Sequence, residues 1–577
     1  MSLRTHWAAV AAALICSACS ATSGPETASA APQPAPAYDL IIANGRVVDG
    51  SGAPWFRADV GIVGDRITAI GDLHDAPAGS RLDASGLVVA PGFIDLLGQS
   101  EFNVLVDNRA ASKILQGVTT EITGEGQSIA PVTDRIIEEG RAPYDHFKVA
   151  HDWHSLGEYF ARFARTRSAI NLGTFVGSGT VRRSVVGLTD RPASAAELEA
   201  MRKLVAQAME EGALGVSSSL QYVPNRFAST AELVELARVA ARYGGIYITH
   251  QRSEANRIDE SLDEVFAIAE GAAIPAEIWH LKTAYRKNWG RMPAVLARLE
   301  AARARGLQVS ANVYPYNRAS NGLDACLPVW AREGGTDAML ARLRNPADRA
   351  RIRKEMDDPQ TDYENQWYGS GGAAGVMLSA VLNPELRKYE GMTLAEIGRA
   401  MGKDPRDALM DIVIADRGES DCILAMMDDD DVRAAVRHPL ISFGSDTPAK
   451  AEDGPLAEST SHPRGWGTFP RVLARYVRDE HLLTLEEAIR KMTSQAALRV
   501  GIVDRGLLRP WMFADVVIFD AAAVKDEATF EVPNRYSTGI RDLLVNGRAV
   551  VRDGRITDER PGRPIRGAGY TRRPNGS

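Results

Sequence analysis

From residue 38 to residue 90, apolar and polar positions alternate, with turn-forming dipeptides between the runs. Leu40-Ile41-Ile42-Ala43 leads into Asn44-Gly45 and then Arg46-Val47-Val48. Val60-Gly61-Ile62-Val63 leads into Gly64-Asp65 and then Arg66 to Ile70. A period of two around such dipeptides predicts β-hairpins. The style returns between 501 and 565, in Ala514 to Asp520 and in Leu543-Leu544-Val545 followed by Asn546-Gly547 and Arg548 to Val551. Two all-β pieces at opposite ends of one chain predict a small β-sandwich formed from both, with residues 566–577 as a tail.

Between them the period changes. Eight short apolar runs alternate with amphipathic stretches: Phe93–Asp95, Thr119–Thr123, Ile170–Val176, Gly215–Ser219, Ile246–His250, Glu277–His280, Val309–Tyr314 and Leu440–Ser445. Ala195 to Gly212 shows the helical spacing and a glycine stop. Eight βα units predict an α/β fold, a (β/α)8 TIM-like barrel over residues 91–500. The stretch 316–439 is too long for one βα connection and is read as an inserted helical segment near the barrel mouth, a candidate lid.

The remaining composition narrows this only a little. The chain has 577 residues, 74 acidic against 67 basic, with net charge −7 and no basic block, which argues against nucleic acid as a partner. Arg4, the apolar run Ala8 to Ile15 and Ser17-Ala18-Cys19 have the order of a signal peptide over residues 1–19, followed by a Pro/Ala/Ser tether at 20–37. Export to the periplasm is expected. Cys19 is a candidate for lipidation that would anchor the protein to the membrane, although Cys16 stands where a lipobox has leucine. The other two cysteines, Cys326 and Cys422, match no metal spacing and are read as buried thiols rather than a disulfide.

Barrel enzymes carry their reactive groups at the C-terminal ends of strands. His250 ("GIYITH"), His280 ("AEIWH") and Asp446 ("LISFGSD") each close an apolar run. Neutral imidazoles bind zinc, and a carboxylate beside an activated water can take and return a proton. With "PGFID", "GVTTEITGEGQSIAP", "SLQYVPNRFAST", "YITHQRSE", "HLKTAYRKNWG", "VYPYN", "LPVWAREGG", "FGSDT" and "HPRGWGTFPRVL", the chain resembles the N-acyl-D-amino-acid deacylases of the amidohydrolase superfamily over nearly all of 38–565.

That resemblance implies a zinc held by His250 and His280, with Asp446 as general acid/base. The family's third ligand is a cysteine in "GNCGFSLAP", where this chain has the shorter "GEGQSIAP". Anchoring downstream puts Glu125 opposite the cysteine and anchoring upstream puts Gly126 there. Glutamate keeps an anionic donor, so Glu125 is the expected ligand, and a carboxylate there makes manganese a competitor to zinc. The first-strand H-x-H of the superfamily is Leu97 and Gln99 here, and "GHGT" is "GSGT" with Ser178. One metal rather than two is therefore expected, and the resemblance puts the carboxylate Glu101 near a position where the family often has aspartate.

Tyr222, Lys282 and Arg464 match the positions with which the family recognises an α-carboxylate, and His462 and Arg471 are alternatives to Arg464. Arg252 and Glu254 are read as an ion pair. The run Asp428–Asp431 is read as a solvated helix start. The function implied is hydrolysis of N-acyl, D-configured amino acids by a metal-activated water. The alternatives are another amide or ester bond, such as a dipeptide, cyclic amide or lactone, or a non-catalytic descendant that binds an acyl-amino acid.

Overall fold

The computed structural model describes residues 38–361, 363–457 and 461–571. The signal segment, the tether, Cys19 and residues 572–577 lie outside the described residues. Among the described residues, no helix is long and apolar enough to cross a membrane.

The two terminal segments share one sheet. Its order is Arg555–Ile556, Arg548–Arg552, Ile540–Val545, Val516–Phe519, Val88–Pro91, Tyr38–Val47, Phe56–Val63 and Arg66–Gly71, with Ala78–Asp83 also paired to Tyr38–Val47. The seam between the ends is antiparallel, Val516 facing Pro91 and Phe519 facing Val88. Its apolar face draws on both ends, with Ile42, Val60, Ile62 and Val89 packed on Val516, Ile518 and Leu544.

One predicted hairpin is absent: Asn44-Gly45 is a bulge inside the strand Tyr38–Val47. Asn44 takes the left-handed conformation (φ 64°), its N–H donates to Asp59 and its side chain donates to Asp83. The chain therefore bends instead of reversing. Its first half pairs with Ala78–Asp83 and its second with Val88–Pro91. Asn546-Gly547, left-handed at both residues, is a true hairpin turn.

The eight barrel strands are Phe93–Asp95, Val118–Thr123, Asn171–Thr174 continued by Val176–Gly177, Gly215–Ser219, Ile246–His250, Ala276–Ile278, Val309–Val313 and Ile441–Phe443. Neighbours pair in parallel around the ring. The first and eighth strands close it through Asp446 N–H to Leu97 O (2.7 Å) and a parallel bridge between Gly98 and Thr447.

Asp95 of "PGFID" latches this seam. Its carboxylate accepts from the backbone N–H groups of Leu97 and Ser445, from Ser445 Oγ at 2.5 Å and from Lys113 Nζ at 2.7 Å. Lys113 reaches on to Ser445 Oγ and Thr447 O. All of these side chains are fully buried.

The barrel helices start and stop where local chemistry dictates. Ala195–Glu211 opens on a capping box, Ser194 with Glu197, and ends at Gly212 (φ 113°). Each such cap contributes about 1 kcal/mol.

The insertion differs from the helical segment expected. Besides the helices Thr336–Arg344, Pro346–Met356, Leu394–Met401 and Pro405–Ala415, it holds a three-stranded sheet, Ala319–Gly322 and Val376–Ala380 flanking Asp421–Leu424. It has its own apolar core around Leu323, Leu340, Leu378 and Leu409, which includes the buried free thiols of Cys326 and Cys422. Asp429–Arg437 packs with the barrel instead, through Val432, Ala435 and Val436.

The described part of the tail is also attached. Thr571 N–H donates to Glu210 O, and Arg566 lies over the rings of Phe160 and Tyr570.

Candidate metal and substrate site

At the C-terminal end of the barrel, a cavity of about 460 Å³ is bounded by the strand ends and by the insertion's sheet. Glu125, Tyr222, His250, His280, Lys282, Asp446 and Arg464 all line it. His250 ends the fifth strand. His280 lies two residues past the sixth and Asp446 three past the eighth, both with left-handed backbones (φ 36° and 52°). Such conformations cost about 1–3 kcal/mol in a non-glycine residue and collect at functional sites.

Glu125, His250 and His280 bring their donor atoms within 4.8 Å of one another. Glu125 Oε1 is 3.0 Å from His250 Nδ1 and 3.0 Å from His280 Nε2. Both rings thus point a nitrogen at one carboxylate oxygen. Gly126, the alternative by alignment, has φ 63°, and a Cβ there would strike Ser219. Its place is to turn the loop so that Glu125 faces inward.

Burial opposes ionisation of Glu125, but the two imidazoles outweigh it and hold its pKa well below the carboxylate range. Burial and Lys282 oppose a proton on His280. Glu254, Asp446 and Glu125 override them and raise its pKa to about 9.

Gln99, one of the two residues where histidine was lost, is a bridge. Its Nε2 donates to Glu125 Oε2 (2.9 Å) and to Asp446 Oδ1 (3.1 Å). A neutral amide N–H₂ thus separates two carboxylates that would repel. Leu97, the other, is buried in an apolar cluster with Ile94, Ile122, Phe175 and Trp279, away from the polar centre. Ser178 bonds Asn225 and Glu101 is half-buried; neither lines the cavity. Among the described residues, Glu125, His250 and His280 form the one group of three able to hold a metal.

Asp446 Oδ2 pairs with Arg464 Nη1 at 2.8 Å. Burial raises the Asp446 pKa against the pull of Arg464. Arg464 also stacks over Tyr314, 4.6 Å from the ring centre, and its buried Nε has no hydrogen-bond acceptor. Its alternatives are occupied elsewhere, Arg471 with Asp526 and His462 with Arg318 O.

Lys282 Nζ lies 2.6 Å from Glu254 Oε1 and 2.8 Å from His280 Nδ1. Tyr222 accepts from Asn321 of the insertion and meets His250 edge-on.

The expected pairing of Arg252 with Glu254 is not formed. Arg252 bonds Glu264, and Glu254 serves Lys282 and His280. In the acidic run, Asp428 caps the helix, but Asp431 is buried and accepts from Thr283 and from the N–H groups of Gly290 and Met292.

Gln99, Glu254 and Tyr314 join the site without having been singled out as site residues in the sequence. Tyr314 carried a signal at the end of an apolar run in "VYPYN", and Gln99 carried one by standing at a first-strand histidine position, whereas Glu254 was read only as an ion-pair partner of Arg252.

The architecture recurs in known proteins. A D-aminoacylase of Alcaligenes xylosoxydans xylosoxydans is 35% identical over 537 residues, covering 92% of this chain and 97% of that protein. The chain belongs to the D-aminoacylase family of amidohydrolases. A model of the amidohydrolase family matches residues 393–555. Among solved structures of the family, the N-acyl-D-glutamate deacylase of Bordetella bronchiseptica superposes with a TM-score of 0.77 at 32% identity. The match covers 92% of this chain and 100% of that one, which was solved with zinc and a phosphonate mimic of the tetrahedral intermediate. A D-aminoacylase described as having a binuclear centre, activated by one metal and attenuated by the second, matches at 34% identity and a TM-score of 0.75, covering 92% and 100%.

Proposed function

We propose that the protein hydrolyses N-acyl-D-amino acids to a carboxylate and a free amino acid, using one divalent metal, and that it does so in the periplasm after export. Relatives that cover nearly the whole chain deacylate such compounds. The observation that carries the reading is that Asp446 shares one cavity with a three-ligand cluster at barrel strand ends.

The residues fit a zinc ion. Two imidazoles and one carboxylate make a zinc donor set, and His250 Nδ1 and His280 Nε2 converge on the same oxygen of Glu125. Glu125, His250 and His280 would hold the ion, which when bound supplies Lewis acidity toward a carbonyl oxygen and a water.

The protein's own groups do the rest. Asp446 takes the proton of the attacking water and delivers it to the departing amine nitrogen. Gln99 and Arg464 hold that carboxylate from both sides, fixing which oxygen faces the substrate. Lys282 and Arg464, with Tyr222 opposite, present donors to an α-carboxylate, the arginine through a planar fork. Glu254 fixes Lys282 and the ring of His280 together. Export rests on the N-terminal segment, with Cys19 as the lipid attachment point if anchoring occurs.

The test is hydrolysis of paired N-acetyl-D- and N-acetyl-L-amino acids by zinc-loaded protein. Turnover confined to the D-series is expected. A protein with about one zinc per chain that cleaves none of them overturns the reading.

A further inference from the structure

Two charges in the cavity remain unpaired. Glu125 faces two imidazoles, Lys282 has Glu254, and Arg464 has Asp446. Lys450, on the loop after the eighth strand, and Asp421, opening the insertion's middle strand, also line the cavity. Among the described residues, neither side chain has a hydrogen bond or an ion pair.

Their surroundings are fixed. The Lys450 N–H donates to Ser112 Oγ at 2.9 Å, and Cys422, next to Asp421, is packed in the insertion core. Each feels the other. Desolvation lowers the Lys450 pKa against Asp421, and Asp421, at the exposed start of its strand, is raised to about 6 by desolvation and by the Asp324 and Glu419 carboxylates against the pull of Lys450. Arg464 is a further cation felt by Asp421.

This neighbourhood tells which part of a substrate lies here. In the deacylase reading, on which this inference rests, Arg464 meets the α-carboxylate. The side chain leaves the same carbon as that carboxylate, whereas the acyl group lies across the scissile amide. Groups beside Arg464 therefore reach the side chain.

We propose that Lys450 and Asp421 select substrates whose side chain ends in a carboxamide. Its carbonyl oxygen accepts from the Lys450 ammonium, and its N–H donates to the Asp421 carboxylate. A carboxylate side chain satisfies the lysine but meets the aspartate as a like charge. An ammonium does the reverse. An aliphatic side chain takes water from both charges and returns nothing, which is costly. Repulsion of the wrong charge and reward of the dipolar group act in the same direction.

The experiment compares kcat/KM for N-acetyl-D-glutamine, -D-glutamate, -D-lysine and -D-leucine on zinc-loaded wild type, Lys450→Met and Asp421→Asn. Ratios between substrates on one preparation do not depend on the fraction folded. Wild type should favour glutamine over leucine by about tenfold or more. Lys450→Met should collapse that ratio, and Asp421→Asn should raise glutamate relative to glutamine by about tenfold. Equal rates on glutamine and leucine, or ratios that neither substitution moves, overturn the proposal. If none of the four is cleaved, the deacylase reading fails on its own, and calorimetric titration with the same compounds judges the pair. Tighter N-acetyl-D-glutamine binding to wild type than to Lys450→Met then supports it, and equal binding overturns it.

Discussion

Glu125→Gln keeps the shape of the cluster and deletes one charge. Oε1 meets two imidazole nitrogens at 3.0 Å, and Oε2 accepts from Gln99 at 2.9 Å. A glutamine amide has a single oxygen, so one of these places becomes an N–H₂ facing a ring nitrogen or the Gln99 amide. Removing one partner from a buried charged group costs about 3–5 kcal/mol.

Two consequences separate cleanly. His280, held at about 9, loses one of the three carboxylates that raise it and moves back toward the ordinary imidazole range. Zinc loses its single anionic donor, and a penalty of about 3 kcal/mol corresponds to roughly a hundredfold weaker binding. Chelator competition measures the second effect, and imidazole NMR of metal-free protein measures the first. Glu125→Cys, which restores an anionic donor, should retain zinc. Wild-type affinity in Glu125→Gln would refute the assignment of Glu125 as a ligand and point to a donor elsewhere.

Three further outcomes come from the same geometry. In metal-free protein at pH 7.5, His280 carries a proton that zinc must displace, so affinity should rise about tenfold per pH unit up to about pH 9. Calorimetry in buffers of different ionisation heat should show about one proton released, and a flat profile between pH 7 and 8.5 would contradict this. Lys113→Met strands the Asp95 carboxylate at the closing seam and should destabilise the fold by about 3–5 kcal/mol, read from denaturant unfolding. Glu364, raised by burial and by Glu254 to about 7, keeps its proton more tightly folded than unfolded. Its contribution is full below about pH 4.5 and lost as pH rises through 7, up to about 3 kcal/mol; Tm should fall over that window, and less steeply in Glu364→Gln.

What the sequence made legible was what depends on local pattern. The barrel strands show as short apolar runs, and His250, His280 and Asp446 stand out because a polar residue ends each run. Partnerships between distant segments were not legible. Nothing local couples Gln99 to both Glu125 and Asp446, or Glu254 to Lys282 in preference to Arg252. The insertion's sheet was missed because its strands are four or five residues long and lie among helices. Asn44-Gly45 carries the same dipeptide signal as Asn546-Gly547 and yet forms a bulge, because Asp59 and Asp83 capture Asn44.

The seam between Val88–Pro91 and Val516–Phe519 also sets an order of events during synthesis. At about 5–20 residues per second, the ribosome needs on the order of a minute to supply the second strand after the first has emerged. Throughout that interval Val88–Pro91 waits with an unsatisfied edge, and the barrel between the two is the only route by which its partner arrives. That edge therefore stays open until the C-terminal segment is made, a consequence of the strand order alone that no point mutation in the cavity would alter.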